Sequence, residues 1–432
     1  EICACLVGSE MCIRDSTTAD LVGVGQGAYT IGGKHITNMV LDLHDAEYIS
    51  WQKYYESPEI MVRKGDIVFA QRGTLGKSAF IVNDIGPATI NPSLVLINKI
   101  KCDNEYLSYW LQCDKIVEYI CSINSQTSIP MITQNQIEHI PVVLSRIKAE
   151  QQAIAEALGD IDGLIATLDK KIAKKRLIKQ GAMSQLLTGK KRLPGFSDPW
   201  VEKKLGEIGY TYSGLTGKSK DDFGQGNAKY ITFLNVLANP ILKENLFGSI
   251  TIRENEQQNK VQFGDLFFNT SSETPEDVGT CAVLLSYHEE LYLNSFCFGY
   301  RLTDDNVLGL YLAYYFRSRL GRQLMTSLAQ GATRYNLSKE LFNASRIILP
   351  ETKDEQIAIA TMLNDMDKEI DDLEAQRDKY RLLKSGMMQK LLTGQIRLTK
   401  PLTNVVPLVP GDSAVREIPV DAHIWAGHIV NR

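Results

Sequence analysis

Residues 148–193 read KAEQQAIAEALGDIDGLIATLDKKIAKKRLIKQGAMSQLLTGKKRL, and residues 353–398 read KDEQIAIATMLNDMDKEIDDLEAQRDKYRLLKSGMMQKLLTGQIRL. The two align without a gap at an offset of 205, with half of the positions identical. A repeat of that length means a duplicated architecture. In the first copy Ile154, Leu158, Ile161, Ile165, Leu168 and Ile172 recur at steps of four and three. Ile359, Leu363, Met366, Ile370 and Leu373 keep the same register in the second. Apolar residues every 3.5 positions with charge between them predict a coiled-coil seam. The seam shifts after Ile172 and is expected to resume near Leu177, Met183, Leu186 and Leu187. Thr188-Gly189 and Thr393-Gly394 put a glycine where a helix is expected to stop. About 40 helical residues at ~1.5 Å each make a rod of roughly 60 Å.

The rest of the chain is organised by these helices. At 432 residues, with 44% hydrophobic and 23% charged residues, it has the composition of a globular protein of two to three domains. A net charge of −4 excludes a generic polyanion binder, so a nucleic-acid surface has to be a local patch. No run approaches 18 apolar residues and no leader pattern is visible, so the expectation is a cytoplasmic protein with no membrane partner. The eight cysteines are scattered, with no C-x-x-C pair, and read as buried free thiols rather than a zinc site or a disulfide framework. No metal-spaced histidines, P-loop or nucleophile–base constellation is present. Asn91-Pro92-Ser93-Leu94 lacks the second proline and the aromatic that would stack on a flipped base, and reads as a turn.

Ahead of each repeat lies a β-rich head. KGDIVFAQRGTLGKSAFIV (64–82) predicts two strands around a turn at Arg72-Gly73-Thr74, and LVLINKI after Asn91 predicts another. YLSYWLQCDKIVEYI (106–120) predicts a core-facing helix. In the second head GDLFFNTSSETPEDVGTCAVLL (264–285), LNSFCFGYRL (293–302) and YLAYYFRSRLGRQLMTSL (311–328) match these elements in order. Residues 1–16, EICACLVGSEMCIRDS, follow neither period and read as a non-native segment. The expected domains are therefore 17–146, a first head incomplete at its N-terminus, then a helix over 147–193. A second head over 194–351, a second helix over 352–398 and an extended tail over 399–432 follow. Termini of a domain usually lie close together. The second head then joins the end of one helix to the start of the next, which predicts antiparallel helices and a pseudo-two-fold relation between the heads. The fold class is α+β.

Readers of base edges are expected on loops carried by a rigid sheet. Two loops recur at matched positions. The hairpin tips supply Gln71, Arg72, Thr74 and Lys77 in the first head and Asn269, Thr270 and Ser271 in the second. The loops after the helix supply Ser125, Gln126, Thr127 and Ser128, and then Gln330, Thr333, Arg334, Tyr335 and Asn336.

The pattern of a β-rich head, Glu150-Gln151 and Ala153-Ile154-Ala155 opening a long helix, Leu186–Gly189, Arg192-Leu193, and a next head opening with Trp200 and Leu205-Gly206-Glu207-Ile208 resembles the specificity subunit of type I restriction-modification systems. Glu355-Gln356, Ala358-Ile359-Ala360, Leu391–Gly394 and Arg397-Leu398 repeat it. The resemblance covers about residues 29–398. It implies two target-recognition domains, each reading one part of a split site on double-stranded DNA, with the helices setting the gap. It also implies two modification (methyltransferase) subunits and further restriction (translocase and nuclease) subunits as partners. The chain itself would be non-catalytic, with S-adenosylmethionine on the modification subunit and ATP on the restriction subunit. A coiled-coil scaffold whose heads bind proteins rather than DNA is the alternative reading of the same residues.

Overall fold

The computed structural model describes residues 5–8, 20–37, 39–123 and 130–398. The expected loop residues Ser125, Gln126, Thr127 and Ser128 and the tail 399–432 lie outside them. The fold mixes helix and sheet, and the chain divides into two compact units. One holds the described residues of 1–163 and 381–432, the other Leu164–Tyr380.

In the first unit an antiparallel sheet has the order Cys5–Gly8, Leu94–Asn98, Ile67–Ala70, Ser78–Phe80. In the second unit Gly209–Ser213, Cys297–Leu302, Leu266–Asn269 and Cys281–Val283 repeat that order. Behind each lies a second sheet containing one parallel pair: Gly27–Ile31 with Ala88–Ile90, and Phe223–Ile231 with Leu291–Leu293. Cys5–Gly8, inside the segment read as non-native, takes the edge that Gly209–Ser213 takes in the other unit. Sheet pairing is made by the main chain, so an edge accepts extended backbone whatever its side-chain pattern.

The predicted hairpins and strands form. The predicted single helices do not: each breaks in two, into Asn104–Leu111 and Asp114–Ser122, and into Gly309–Arg317 and Arg319–Leu328. At the second break Ser318 donates its hydroxyl to the Tyr315 carbonyl (2.6 Å) and accepts from the Gly321 amide (3.3 Å), serving the two helix ends at once. Gly321 is required there, since a Cβ would lie 2.2 Å from the Tyr315 carbonyl oxygen.

The long helices span Lys148–Leu186 and Lys353–Met387, the second running on into a π turn at Met388–Leu392. Gly189 (φ 68°) and Gly394 (φ 73°) follow their ends in the left-handed conformation, as the Thr-Gly pairs predicted. Of the seam residues Ile154, Leu158, Ile161, Leu168, Ile172, Ile359, Leu363, Ile370 and Leu373 are buried, while Ile165 and Met366 are half-buried. Leu177 is a correction: it is 68% exposed, so the seam does not resume there.

Each unit closes its core with both helices. Ile154, Ala155 and Leu158 pack with Leu391 and Leu392 in the first unit, and Ile359, Ala360 and Leu363 with Leu186 and Leu187 in the second. The repeated Leu-Leu before Thr-Gly is therefore core. Within the second unit Leu168 and Ile172 cluster with Ile370 and Leu373, and Lys179 pairs with Asp367, Lys175 with Glu369 and Arg176 with Glu374. Arg377 with Asp169 extends the series, and from the Asp169–Arg377 pair to the Lys179–Asp367 pair one number rises by ten while the other falls by ten, so these segments run in opposite directions.

The Glu-Gln that opens each repeat is a staple. Gln151 accepts from the amide of Asp103, the N-cap of the head helix, at 2.8 Å, and donates to the Ser145 carbonyl at 2.7 Å. Gln356 does the same for Leu308 (2.9 Å) and Pro350 (3.0 Å). Buried Glu150 accepts both arms of Arg397 at 2.7 and 2.6 Å, and buried Glu355 both arms of Arg192 at 2.5 and 2.6 Å. A second repeated joint sets Tyr109 on Asp162 and Tyr314 on Asp367, each at 2.9 Å, with Lys384 and Lys179 over the respective rings.

The hydrogen bonds from Arg397 hold the Glu150 carboxyl down at about 2, from an ordinary 4.5. A carboxyl whose folded pKa is depressed adds stability that is complete above its unfolded pKa and is lost as pH falls toward the folded one. Acid unfolding of the first unit between pH 4.5 and 2 should accordingly be less steep in Glu150→Gln than in the parent. Equal slopes in hydrogen-exchange titrations would contradict this assignment.

Candidate nucleic-acid interface

The two kinds of loop singled out in the sequence meet in space. In the second unit the hairpin strand Leu266–Asn269 leads through Thr270 into Ser271–Ser272, which pairs with Tyr335–Leu337, which in turn pairs with Ala329–Gln330. Thr270 fixes the junction, its amide donating to the Phe296 carbonyl and its carbonyl accepting from the Leu337 amide, both at 2.9 Å. Gly331 (φ 134°) makes the turn, where a Cβ would lie 2.1 Å from the Arg334 carbonyl oxygen. The outcome is a small three-stranded edge on which Gln330, Thr333, Arg334 and Asn336 are exposed and Thr270, Ser271 and Tyr335 half-buried. Arg334 donates from Nε to the Ser271 hydroxyl at 3.2 Å, which positions the guanidinium without neutralising it.

Asn269 does not belong to that exposed set. It is fully buried, accepting from the Thr280 amide at 2.6 Å and donating to the Asp277 and Ser271 carbonyls at 3.1 and 3.3 Å. Its amide replaces main-chain partners that the tip cannot supply, so it shapes the loop from inside. Two arginines missed in the sequence support the same loop. Arg322 donates to the Glu276 carbonyl at 2.7 Å and also to that of Val278, and Arg317 donates to the carbonyls of Cys281, Val236, Leu237 and Asn239 at 2.5–3.0 Å. Burial lowers the pKa of both, and their hydrogen bonds go to backbone carbonyls rather than outward. Sequence offered no means of telling these from surface cations, because a buried arginine is recognised only by the carbonyls around it.

The first unit builds the same joint. Gln71 takes the place of Thr270: its amide donates to the Ser93 carbonyl and its carbonyl accepts from the Ile132 amide, both at 3.0 Å. Arg72 bridges to Met131, and the Gly73 amide donates to the Pro130 carbonyl at 3.0 Å. Gln71 is a second correction, since its side chain is buried and donates to the Pro92 carbonyl at 3.0 Å, out of reach of a base edge. Arg72, Thr74 and Lys77 are exposed. They line a cleft of about 470 Å³ together with Lys34, which the sequence reading passed over, and with Asn91 and Ser93, which it read only as a turn. Asn91 makes the turn expected of it, accepting from the Ser93 amide at 3.0 Å and the Ser93 hydroxyl at 2.5 Å.

Among the described residues there is no cluster of metal-ligating side chains, and no helix is long and apolar enough to cross a membrane. Cys102, Cys113, Cys281 and Cys297 are buried free thiols, and Cys121 is a free thiol exposed against expectation.

A family model for the type I restriction modification DNA specificity domain matches residues 29–175 and again 197–380. Two proteins of Methanocaldococcus jannaschii, one named "Putative type I restriction enzyme MjaX specificity subunit" and the other "Type I restriction enzyme MjaVIII specificity subunit", are 25% and 24% identical to the chain. The alignments cover 84% and 79% of this chain and 86% and 81% of those proteins. The fold is similar to the crystal structure of a type I restriction-modification S subunit from M. genitalium, with a TM-score of 0.56 at 14% identity over 90% of this chain and 93% of that one. A chain from a structural study of complex assembly in the type I system gives a TM-score of 0.51 at 15% identity, over 86% and 93%. With the specificity-domain model matched twice across most of its length, the chain belongs to the type I restriction-modification DNA specificity family.

Proposed function

We propose that the chain is the DNA-sequence-specificity subunit of a type I restriction-modification complex, with each head reading one half of a bipartite site. The observation that carries this reading is the duplicated edge: one buried frame, built twice from the same hydrogen bonds, presents different exposed side chains in each unit. A shared scaffold with divergent tips is what reading two unlike half-sites requires. The long helices, bound into the core of each head, act as an antiparallel coiled-coil spacer between the half-sites. The chain carries no catalytic role. S-adenosylmethionine is held by the modification subunits and ATP by the restriction subunits.

Two equivalent modification subunits suit the exposed faces of the helices. Leu177 (68% exposed) and Leu382 (76%) occupy equivalent repeat positions, so each helix offers the same apolar foothold. Co-expression with the methyltransferase subunit, followed by genome-wide reading of methylated adenines, should return a motif of two parts separated by a fixed gap. An undivided motif would sink the two-head reading.

Arg334→Ala should relax discrimination at one base position by ~1–3 kcal/mol if the guanidinium reads a base edge. Unchanged affinity and unchanged base preference would remove Arg334 from the interface.

A further inference from the structure

The two heads differ most at one corner of their common frame, and the difference is chemical. Hydrogen bonds fix the equivalence of positions there. The Asn91 amide donates to the Ile31 carbonyl as the Asn294 amide does to that of Ile231, and the Gln71 and Thr270 amides donate to the carbonyls of Ser93 and Phe296. Gly33 therefore stands where Phe233 stands in the other head, and Ser93 where Phe296 stands. In the second unit those two rings lie 6.4 Å apart, edge to face, and occupy the corner. In the first unit a glycine pair and a serine leave it open, and the opening is the cleft of about 470 Å³.

The groups around that cleft are chiefly hydrogen-bond donors. Lys34, Arg72 and Lys77 are the cations that line it, against the Glu47 carboxylate on the wall and that of Asp45, 4.0 Å from Lys34. Asn91 has its oxygen occupied by Ser93, which leaves its NH₂ as the donor end. Thr30, on the cleft wall, is more than nine-tenths buried, and its hydroxyl has no hydrogen-bond partner among the described residues. A buried hydroxyl left unpaired costs on the order of 1–3 kcal/mol, which a bound acceptor would recover. His35 is a prop rather than a cation. Its Nδ1 accepts from the Gly32 amide at 2.9 Å, and burial, reinforced by the charge of Lys34, lowers its pKa.

We propose that this corner of the first head is a seat for one backbone phosphate of the DNA, held by Lys77 and Arg72 with the Asn91 amide and Thr30 hydroxyl, and that the second head has no such seat. The inference rests on the DNA-specificity reading and adds an asymmetry to it. The second head must hold its half-site in register by other contacts, while the first clamps the strand at a point that carries no sequence information.

The test uses the complex with its methyltransferase subunits and duplexes carrying the bipartite site, each with a single phosphate replaced by neutral methylphosphonate. The parent complex should lose affinity about three- to tenfold at one or two adjacent phosphates of the first half-site. Lys77→Ala should bind more weakly and be indifferent to that same replacement. It should also reduce the slope of log K against log salt by about 1, with the methylated motif unchanged. Ser93→Phe, which installs the residue of the other head, should reproduce the indifference. If no methylphosphonate position is coupled to Lys77, or if Lys77→Ala relaxes the base preference instead, the phosphate seat is wrong while the DNA reading stands. Failure of the parent complex to prefer its own site over unrelated duplex would overturn both.

Discussion

Removing one heptad from each long helix should abolish methylation of the original motif and transfer it, weakened, to a motif whose gap is about three base pairs shorter. Seven residues at ~1.5 Å remove about 10 Å of rod, and B-form DNA rises ~3.4 Å per pair. A heptad also returns the helix face to within about 20°, so the apolar seam keeps its register. The duplex is less forgiving: three pairs out of roughly ten per turn rotate one half-site by about 100°, and the torsion needed to restore it weakens binding. Methylome sequencing of cells carrying the shortened chain reads both effects at once. A gap of unchanged length would show that something other than the helices measures the DNA.

The second large effect is on stability. Arg192→Ala should destabilise the second unit by about 3–5 kcal/mol, because it strands the Glu355 carboxylate, 1% exposed, without its bidentate partner. The loss is local, so a single global transition is the wrong observable in a chain of two units. Hydrogen exchange should instead show the amides of 200–204 and 346–349, paired near this joint, opening more readily while those of 67–70 and 94–98 keep their protection. Adding Glu355→Gln to Arg192→Ala should recover part of the loss, since the buried group then carries no charge. A change below about 1 kcal/mol would mean that water reaches the carboxylate.

The repeat made the architecture legible because it is written in apolar spacing and in glycines, both of which act locally. The seam from Ile154 to Ile172, the stops at Gly189 and Gly394 and the hairpins at 67–80 and 266–283 all follow from residues a few positions apart. The breaks at Cys113 and Ser318 were not legible, because apolar residues continue in helical register across them and only the cap at the break distinguishes two helices from one. The interface was half legible. Loop position identified Arg72, Lys77, Arg334 and Asn336 as exposed groups. It could not separate them from Gln71 and Asn269, polar residues of the same kind turned inward to serve main-chain groups that only the folded tip leaves unpaired. Lys34 escaped for a different reason: it comes from a turn some 40 residues away in sequence and joins the cleft only through the parallel strand pair.

The way each core borrows a turn from the far end of the other helix sets an order of synthesis. Everything the second unit needs lies in one continuous span, Leu164–Tyr380. The first unit waits for Leu391, Leu392 and Arg397, which leave the ribosome more than 200 residues after its own strands are made. At roughly 5–20 residues per second, that interval is on the order of ten to fifty seconds. During it Glu150 has no cation and a leucine-sized gap stays open beside Ile154 and Leu158. The head made first is thus the head finished last, and it is the nascent first head that a chaperone would meet.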